Sequence, residues 1–155
     1  MKWMEAIDIQ APLDVVHRAV LDQHTLMQWS AWPEATGYTC RVDGDGQSPG
    51  SQIVFTDPKG VEQGRQTLVS ADDRVIRNTM RNRGPRGRWV TPLVDFHIDP
   101  ITEGRTRVSL AFEVEPPVPR LLKPLANRWL RRSIRPLHVK DLQQLKDLVE
   151  RAHAQ

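Results

Sequence analysis

The feature that most restricts what this chain can fold into is a double change of period. Val16, Ala19 and Val20 repeat at helical spacing near the start. From Thr36 to Val114 the pattern becomes one of strands and turns. After Pro116-Pro117-Val118-Pro119 it is helical again, with Leu122, Leu125, Ala126, Trp129, Leu130, Ile134, Leu142, Leu145, Leu148 and Val149 on one apolar stripe. Pro136 lies inside that stripe and removes a backbone donor, so a kink or break is expected there. Residues 3–9 read as a first strand. Ala11-Pro12-Leu13-Asp14 reads as a helix entry, because proline suits a first turn and an acid there suits the helix dipole. A second short helix is expected over 23–29, and Pro33 predicts an extended Trp32.

The middle segments lie near 36–43, 51–57, 61–70, 74–82, 87–99 and 105–114. Turn-forming runs such as Asp43-Gly44-Asp45-Gly46 and Asp57-Pro58-Lys59-Gly60 separate them. Val108, Leu110, Phe112 and Val114 alternate with Arg107, Ser109, Ala111 and Glu113. Val94, Phe96 and Ile98 alternate with Asp95, His97 and Asp99. Each run therefore buries one face of an antiparallel sheet, and the two are expected to form a hairpin across 100–104. The order is strand, two short helices, six strands, long helix. It predicts an α+β fold in which a curved seven-stranded antiparallel sheet wraps round a long C-terminal helix. One helix cannot fill such a sheet, so a cavity is expected between them.

The 155 residues fit one domain, 1–155, with a core that needs no staples. A single cysteine excludes an intramolecular disulfide framework and a multi-cysteine zinc site. The absence of a long apolar run or a signal-peptide pattern predicts a cytoplasmic protein. Charge is uneven: residues 1–73 hold 5 Lys/Arg and 11 Asp/Glu, whereas residues 74–155 hold 17 and 8. Nucleic-acid binding would need stacking aromatics interleaved with those cations. Only Trp89 and Trp129 qualify, both are expected to be buried, and no nucleic acid is expected as a partner. An anionic membrane surface is the alternative, reached through Arg128, Arg131, Arg132 and Arg135 on the last helix.

Several motifs fail on context. Gly46-Gln47-Ser48-Pro49-Gly50 spells G-x-S-x-G, but a nucleophile elbow needs a helix directly after it and a strand-like segment follows. The Asp43–Gly46 run resembles a calcium loop, yet Ser48 and Val54 stand where glycine and glutamate are required. Asp95, His97 and Asp99 share the solvent-facing side of a strand, so no metal site is expected from them. Cys40 reads as a small buried hydrophobe. For acid–base chemistry His24, Arg77 and Tyr38 are the candidates, without a convincing set among them. His17, His138 and His153 show no partner in the sequence.

The layout resembles the START-like, or SRPBCC, superfamily with its helix-grip fold. The resemblance covers nearly the whole chain and is closest to the polyketide cyclase/dehydrase and lipid-transport branch. It is carried by Ile9-Gln10-Ala11-Pro12-Leu13-Asp14-Val15-Val16, Trp29-Ser30-Ala31-Trp32-Pro33, Gly104-Arg105-Thr106-Arg107-Val108 and Leu142-Gln143-Gln144-Leu145-Lys146. It implies an internal pocket for a lipid, polyketide or other small apolar molecule. It does not choose between a carrier and an enzyme. No cofactor is implied. The expected lining is Trp29, Trp32, Tyr38, Phe55, Leu68, Met80, Trp89, Phe96, Leu125 and Trp129, with Leu125 and Trp129 covering the mouth.

Overall fold

Pro12, in extended conformation, turns the chain out of strand β1 (Lys2–Ile9) into helix α1 (Leu13–Leu21). Helix α2 (Gln23–Trp29) follows directly, capped by Asp22, whose carboxylate accepts the His24 N–H at 3.0 Å. A third short helix, α3 (Trp32–Thr36), was not expected. It places Trp32 at its first residue with Pro33 in the first turn, and Gly37 ends it at φ +74°. The extended reading of Trp32 is thus corrected. Proline's missing N–H costs nothing at a helix start, and this outweighs its bias on the residue before it. The computed structural model describes residues 1–155 apart from the side chain of Pro85.

Strands β2 (Thr39–Asp43), β3 (Gln52–Thr56), β4 (Glu62–Ala71), β5 (Val75–Arg83), β7 (Leu93–Thr102) and β8 (Arg105–Glu113) join β1 in one antiparallel sheet of order β1-β8-β7-β5-β4-β3-β2. The two-residue β6 (Trp89–Val90) pairs with β5 beside this path. The expected segment 87–99 is therefore two strands. Pro92 lies between them, where its carbonyl accepts from Met80 N–H at 2.9 Å and its own missing donor breaks the ladder. The register slips at Phe55/Thr56, Leu68/Ser70 and Pro100/Thr102. Such irregularities bend a strand and tighten its twist, which curves the sheet.

The hairpin across 100–104 is present, with Val94 opposite Phe112 and Ile98 opposite Val108. Their buried sides face α1 and α5 (Arg135–His153), which contributes Leu142, Leu145 and Val149 to the core. The long apolar stripe forms two helices, α4 (Lys123–Ser133) and α5, parting at Ile134. The break falls two residues before Pro136, which therefore starts a helix instead of kinking one.

A buried polar knot fixes the β2–β3 turn. Gln23 donates to Ser51 O at 2.9 Å, and the Ser51 hydroxyl donates to Gln23 Oε1 at 2.7 Å and accepts from Gly46 N–H at 2.8 Å. In the same turn the Ser48 hydroxyl donates to Asp45, and β3 follows. The Ser48 hydroxyl and the Gln47 and Ser48 amides pull the Asp45 carboxyl down to about 2.

Candidate functional site

Between the curved sheet and the two C-terminal helices lies a cavity of about 640 Å³. That is within the range of small-molecule sites, roughly 300–1,000 Å³. Phe55 on β3, Met80 on β5, Val94 and Phe96 on β7, and Leu110 and Phe112 on β8 form its sheet wall. Leu26 and Trp29 close it from α2. Trp29 is held edge-on to Phe96 at 5.9 Å, and its indole N–H donates to Ala19 O at 3.0 Å. Across the space, Leu122, Ala126, Trp129 and Leu130 turn one side of α4 and its approach inward. No residue of α4 is buried; Trp129 stays 59% exposed although it lines the wall. Leu130 also packs on the core, whereas Leu122, Ala126 and Trp129 have the cavity beneath them. Arg83, Arg86 and Arg88 add exposed cations to the rim.

Six of the ten expected lining residues lie on this wall: Trp29, Trp32, Phe55, Met80, Phe96 and Trp129. The other four lie elsewhere. Leu68 is packed in the core. Tyr38 is half-buried behind the wall, edge-on to Trp32 at 6.5 Å. Trp89 lies on the other side of β6 from Val90, which takes the cavity position. The guanidiniums of Arg81 and Arg83 stack over the Trp89 ring at 4.2 and 5.1 Å. Leu125 is 66% exposed, because the Leu122–Ala126–Leu130 row faces in and leaves it at the outer edge.

The three acid–base candidates are not on the wall. His24 is exposed beside Asp22, and Arg77 pairs with Asp95 on the outer face of the sheet, with Nη2–Oδ2 at 3.1 Å. The metal-type triplet shares that face. Among the described residues no group of three His, Cys, Asp or Glu side chains is placed to hold a metal. Cys40 is half-buried on β2, and burial pushes its thiol up. Of the four helix arginines, Arg135 pairs with Glu5 of β1.

Two ionisable groups that were not proposed as acid–base candidates do line the cavity. His138 and Asp141 stand three residues apart on α5 and so share one helix face. The His138 ring is buried against Phe112, at 4.7 Å between centroids. Its Nδ1 accepts the Trp3 indole N–H at 3.0 Å. An accepting Nδ1 puts the ring proton on Nε2. Burial lowers the His138 pKa to about 4, so the ring is neutral at physiological pH. Asp141 accepts the Ala31 N–H on Oδ1 at 2.6 Å. Among the described residues no cation pairs with it, and burial raises its carboxyl to about 7. The signal for this pair was a histidine followed three residues later by an acid, on the apolar stripe of the last helix.

A curved antiparallel sheet gripping a long broken helix over an apolar cavity defines a helix-grip protein of the START-like class. The chain belongs to the polyketide cyclase/dehydrase and lipid-transport family, whose pattern matches residues 2–150. Three solved structures illustrate the fold. A protein from Chromobacterium violaceum is 22% identical over 96% of each chain, with a TM-score of 0.65. One from Thermobifida fusca is 18% identical over 97% of this chain and 93% of its own, at 0.69. A norcoclaurine synthase point mutant from Thalictrum flavum, in complex with a transition-state analogue, is 14% identical over 99% and 96%, at 0.67. No curated protein matches this chain. Family and fold together support ligand binding or polyketide-type chemistry in general terms. Among the described residues no helix is long and apolar enough to cross a membrane.

Proposed function

We propose that the protein binds, and carries, a small hydrophobic molecule in the cavity between sheet and α4, in a cytoplasmic setting. The observation that supports this reading is the inward apolar row of Leu122, Ala126 and Trp129, which faces the cavity. Such a row left facing water is unfavourable, at about 25 cal/mol per Å² of apolar surface. A bound apolar molecule would cover it. On this reading Trp29, Trp32, Phe55, Met80, Phe96 and Trp129 contact the bound molecule.

Binding of 8-anilinonaphthalene-1-sulfonate, a fluorescent apolar anion, tests the reading. The native protein is expected to take it up saturably. Ala126→Trp fills the space from α4 and is expected to weaken binding at least tenfold with an unchanged melting temperature. Equal binding by the filled variant would place the probe outside the cavity and overturn the proposal.

A second reading concerns the outer side of α4 and of the turn that leads into it. Leu121 is 92% exposed and Leu125 66%, and Arg128, Arg131 and Arg132 flank them. Apolar side chains ringed by cations fit an anionic membrane surface, with each cation contributing about 1 kcal/mol. On this reading α4 docks there and presents the rim to the ligand's source. Co-flotation with phosphatidylserine vesicles is expected, and with neutral phosphatidylcholine vesicles it is not. Arg131→Glu with Arg132→Glu should abolish it, and flotation unchanged by that double substitution would rule the docking out.

A further inference from the structure

His138 and Asp141 have a geometry that ligand storage alone does not require. The cavity wall is otherwise mostly apolar where the sheet forms it. On the α5 side one ring and one carboxyl stand three residues apart on the same helix face. The ring is fixed. Trp3 stacks on Phe112 at 4.6 Å and reaches His138 Nδ1 with its indole N–H, so the imidazole is held from behind by strand β1. Its remaining nitrogen, Nε2, carries the proton and meets no acceptor among the described residues. The carboxyl is also held from behind, by Ala31 N–H on Oδ1, and its Oδ2 accepts no protein donor among the described residues. One neutral donor and one free carboxyl oxygen are therefore both anchored, and both belong to residues that line the cavity.

We propose that His138 and Asp141 form a proton-transfer site for an apolar ligand that carries a carbonyl group with acidic α-hydrogens. This rests on the ligand-binding reading of the cavity and specifies the chemistry done there. The donor suits the carbonyl oxygen, and the carboxylate suits the neighbouring C–H. In the forward step the Asp141 carboxylate takes the α-proton. The C–H electron pair becomes the C=C bond of the enolate, and the carbonyl π pair moves onto oxygen. There the His138 Nε2–H donates a hydrogen bond to the developing charge and keeps its own proton. Return of the proton from Asp141 to carbon restores the ketone. Nothing is oxidised or reduced. A neutral imidazole is the better donor for this task, because it stabilises the enolate without giving up a proton to it.

The carboxyl's own environment supports the assignment. A base works best when its pKa lies near the working pH, and burial brings Asp141 to about 7. The charged groups around it are few. On α5 the preceding residue, Lys140, pairs outward with Glu34 of α3 at 3.3 Å. Arg86 and Arg88 face the same cavity from the β5–β6 connection, and Arg83, at the end of β5, stacks its guanidinium on Trp89. Burial alone sets the direction of the shift, and the Ala31 N–H, which favours the carboxylate, works against it.

The test uses 2-tetralone, an apolar ketone, in deuterated buffer. Deuterium entering the carbons beside the carbonyl is followed by NMR, and binding is followed separately by tryptophan quenching. The native protein is expected to accelerate exchange at least a hundredfold over buffer. The rate should rise as pH passes through about 7 and then level. Asp141→Asn keeps an acceptor for Ala31 N–H, so it should fold and bind while exchange falls about a hundredfold. Asp141→Glu should restore part of the rate. A purely structural Asp141 would leave rate and pH profile unmoved in the Asn variant, and that overturns the proposal. So does 2-tetralone that binds without exchanging, or that fails to bind a cavity still open to the anilinonaphthalene probe. Failure of both probes to bind would sink the ligand reading as well.

Discussion

Asp141→Asn is expected to make the protein more stable at pH 8, by on the order of 4 kcal/mol, given about 1.4 kcal/mol per pKa unit. The Asp141 carboxyl lies at about 7 in the folded chain against an ordinary 3.8. The folded state therefore binds this proton more tightly than the unfolded chain does. Its contribution is fully present below about pH 3.8, declines as the pH rises, and is gone above about 7. His138 runs the other way. Its folded value of about 4 lies below the usual 6.5, so its contribution is full above 6.5 and is lost as the pH falls toward 4. Between about pH 4 and 6.5 the two slopes oppose each other, and the native protein should show little net dependence from this pair. Asp141→Asn leaves His138 alone. Its melting temperature should rise steeply from pH 4 to 6.5 and exceed the native value most at pH 8. A variant no more stable than the native chain at pH 8 would mean that Asp141 is not held as a costly buried acid. Gain of stability on removal of a charged group is the behaviour of a residue kept for function.

Trp29→Ala should lower stability by about 3–5 kcal/mol, as large-to-small changes of buried aromatics do. That is a large part of the roughly 5–15 kcal/mol by which domains are stable. Trp29 is 2% exposed and joins three parts of the fold. Its ring meets Phe96 edge-on, which fixes α2 against β7. Its N–H takes Ala19 O, one of the carbonyls left without a helical partner at the end of α1. It also forms cavity wall, so its removal enlarges a space already open. Trp29→Phe separates the parts, since it keeps most of the packing and loses the hydrogen bond, about 1 kcal/mol. Urea unfolding of both variants measures the difference. A loss under 1 kcal/mol for Trp29→Ala would show that the helices do not depend on this ring.

Period was the most legible property of the sequence. The alternations around Phe96 and Leu110 set which side of β7 and β8 is buried, because a one-residue slip would turn every side chain over. The helical stripe and the cavity above it followed from the same reasoning. Orientation within the stripe was less accessible. Leu125 and Ala126 both lie on it, and their placement depends on how α4 is rolled, a matter decided by the break at Ile134 and by Arg135 reaching Glu5. Trp89 falls off the cavity wall because Pro92 interrupts the alternation. His138 read as a lone histidine because its partner, Trp3, is 135 residues away and only the closed sheet brings them together. Asp141 gave no sign of its own, since an acid on an amphipathic helix ordinarily faces water.

The pairing of the first strand with the last has a consequence for how the chain is made. Trp3 lies opposite Phe112, and β1 has no other neighbour in the sheet. While the ribosome is still adding residues, β1 must therefore wait for β8, with its apolar side unprotected. Contacts separated by more than a hundred residues close slowly, because the entropy of the intervening loop is lost before they form. The hairpin of β7 and β8 supplies the template on which β1 can dock. Docking of β1 thus waits until β8 has been made, and the interval before β8 emerges is when β1 most needs protection from aggregation.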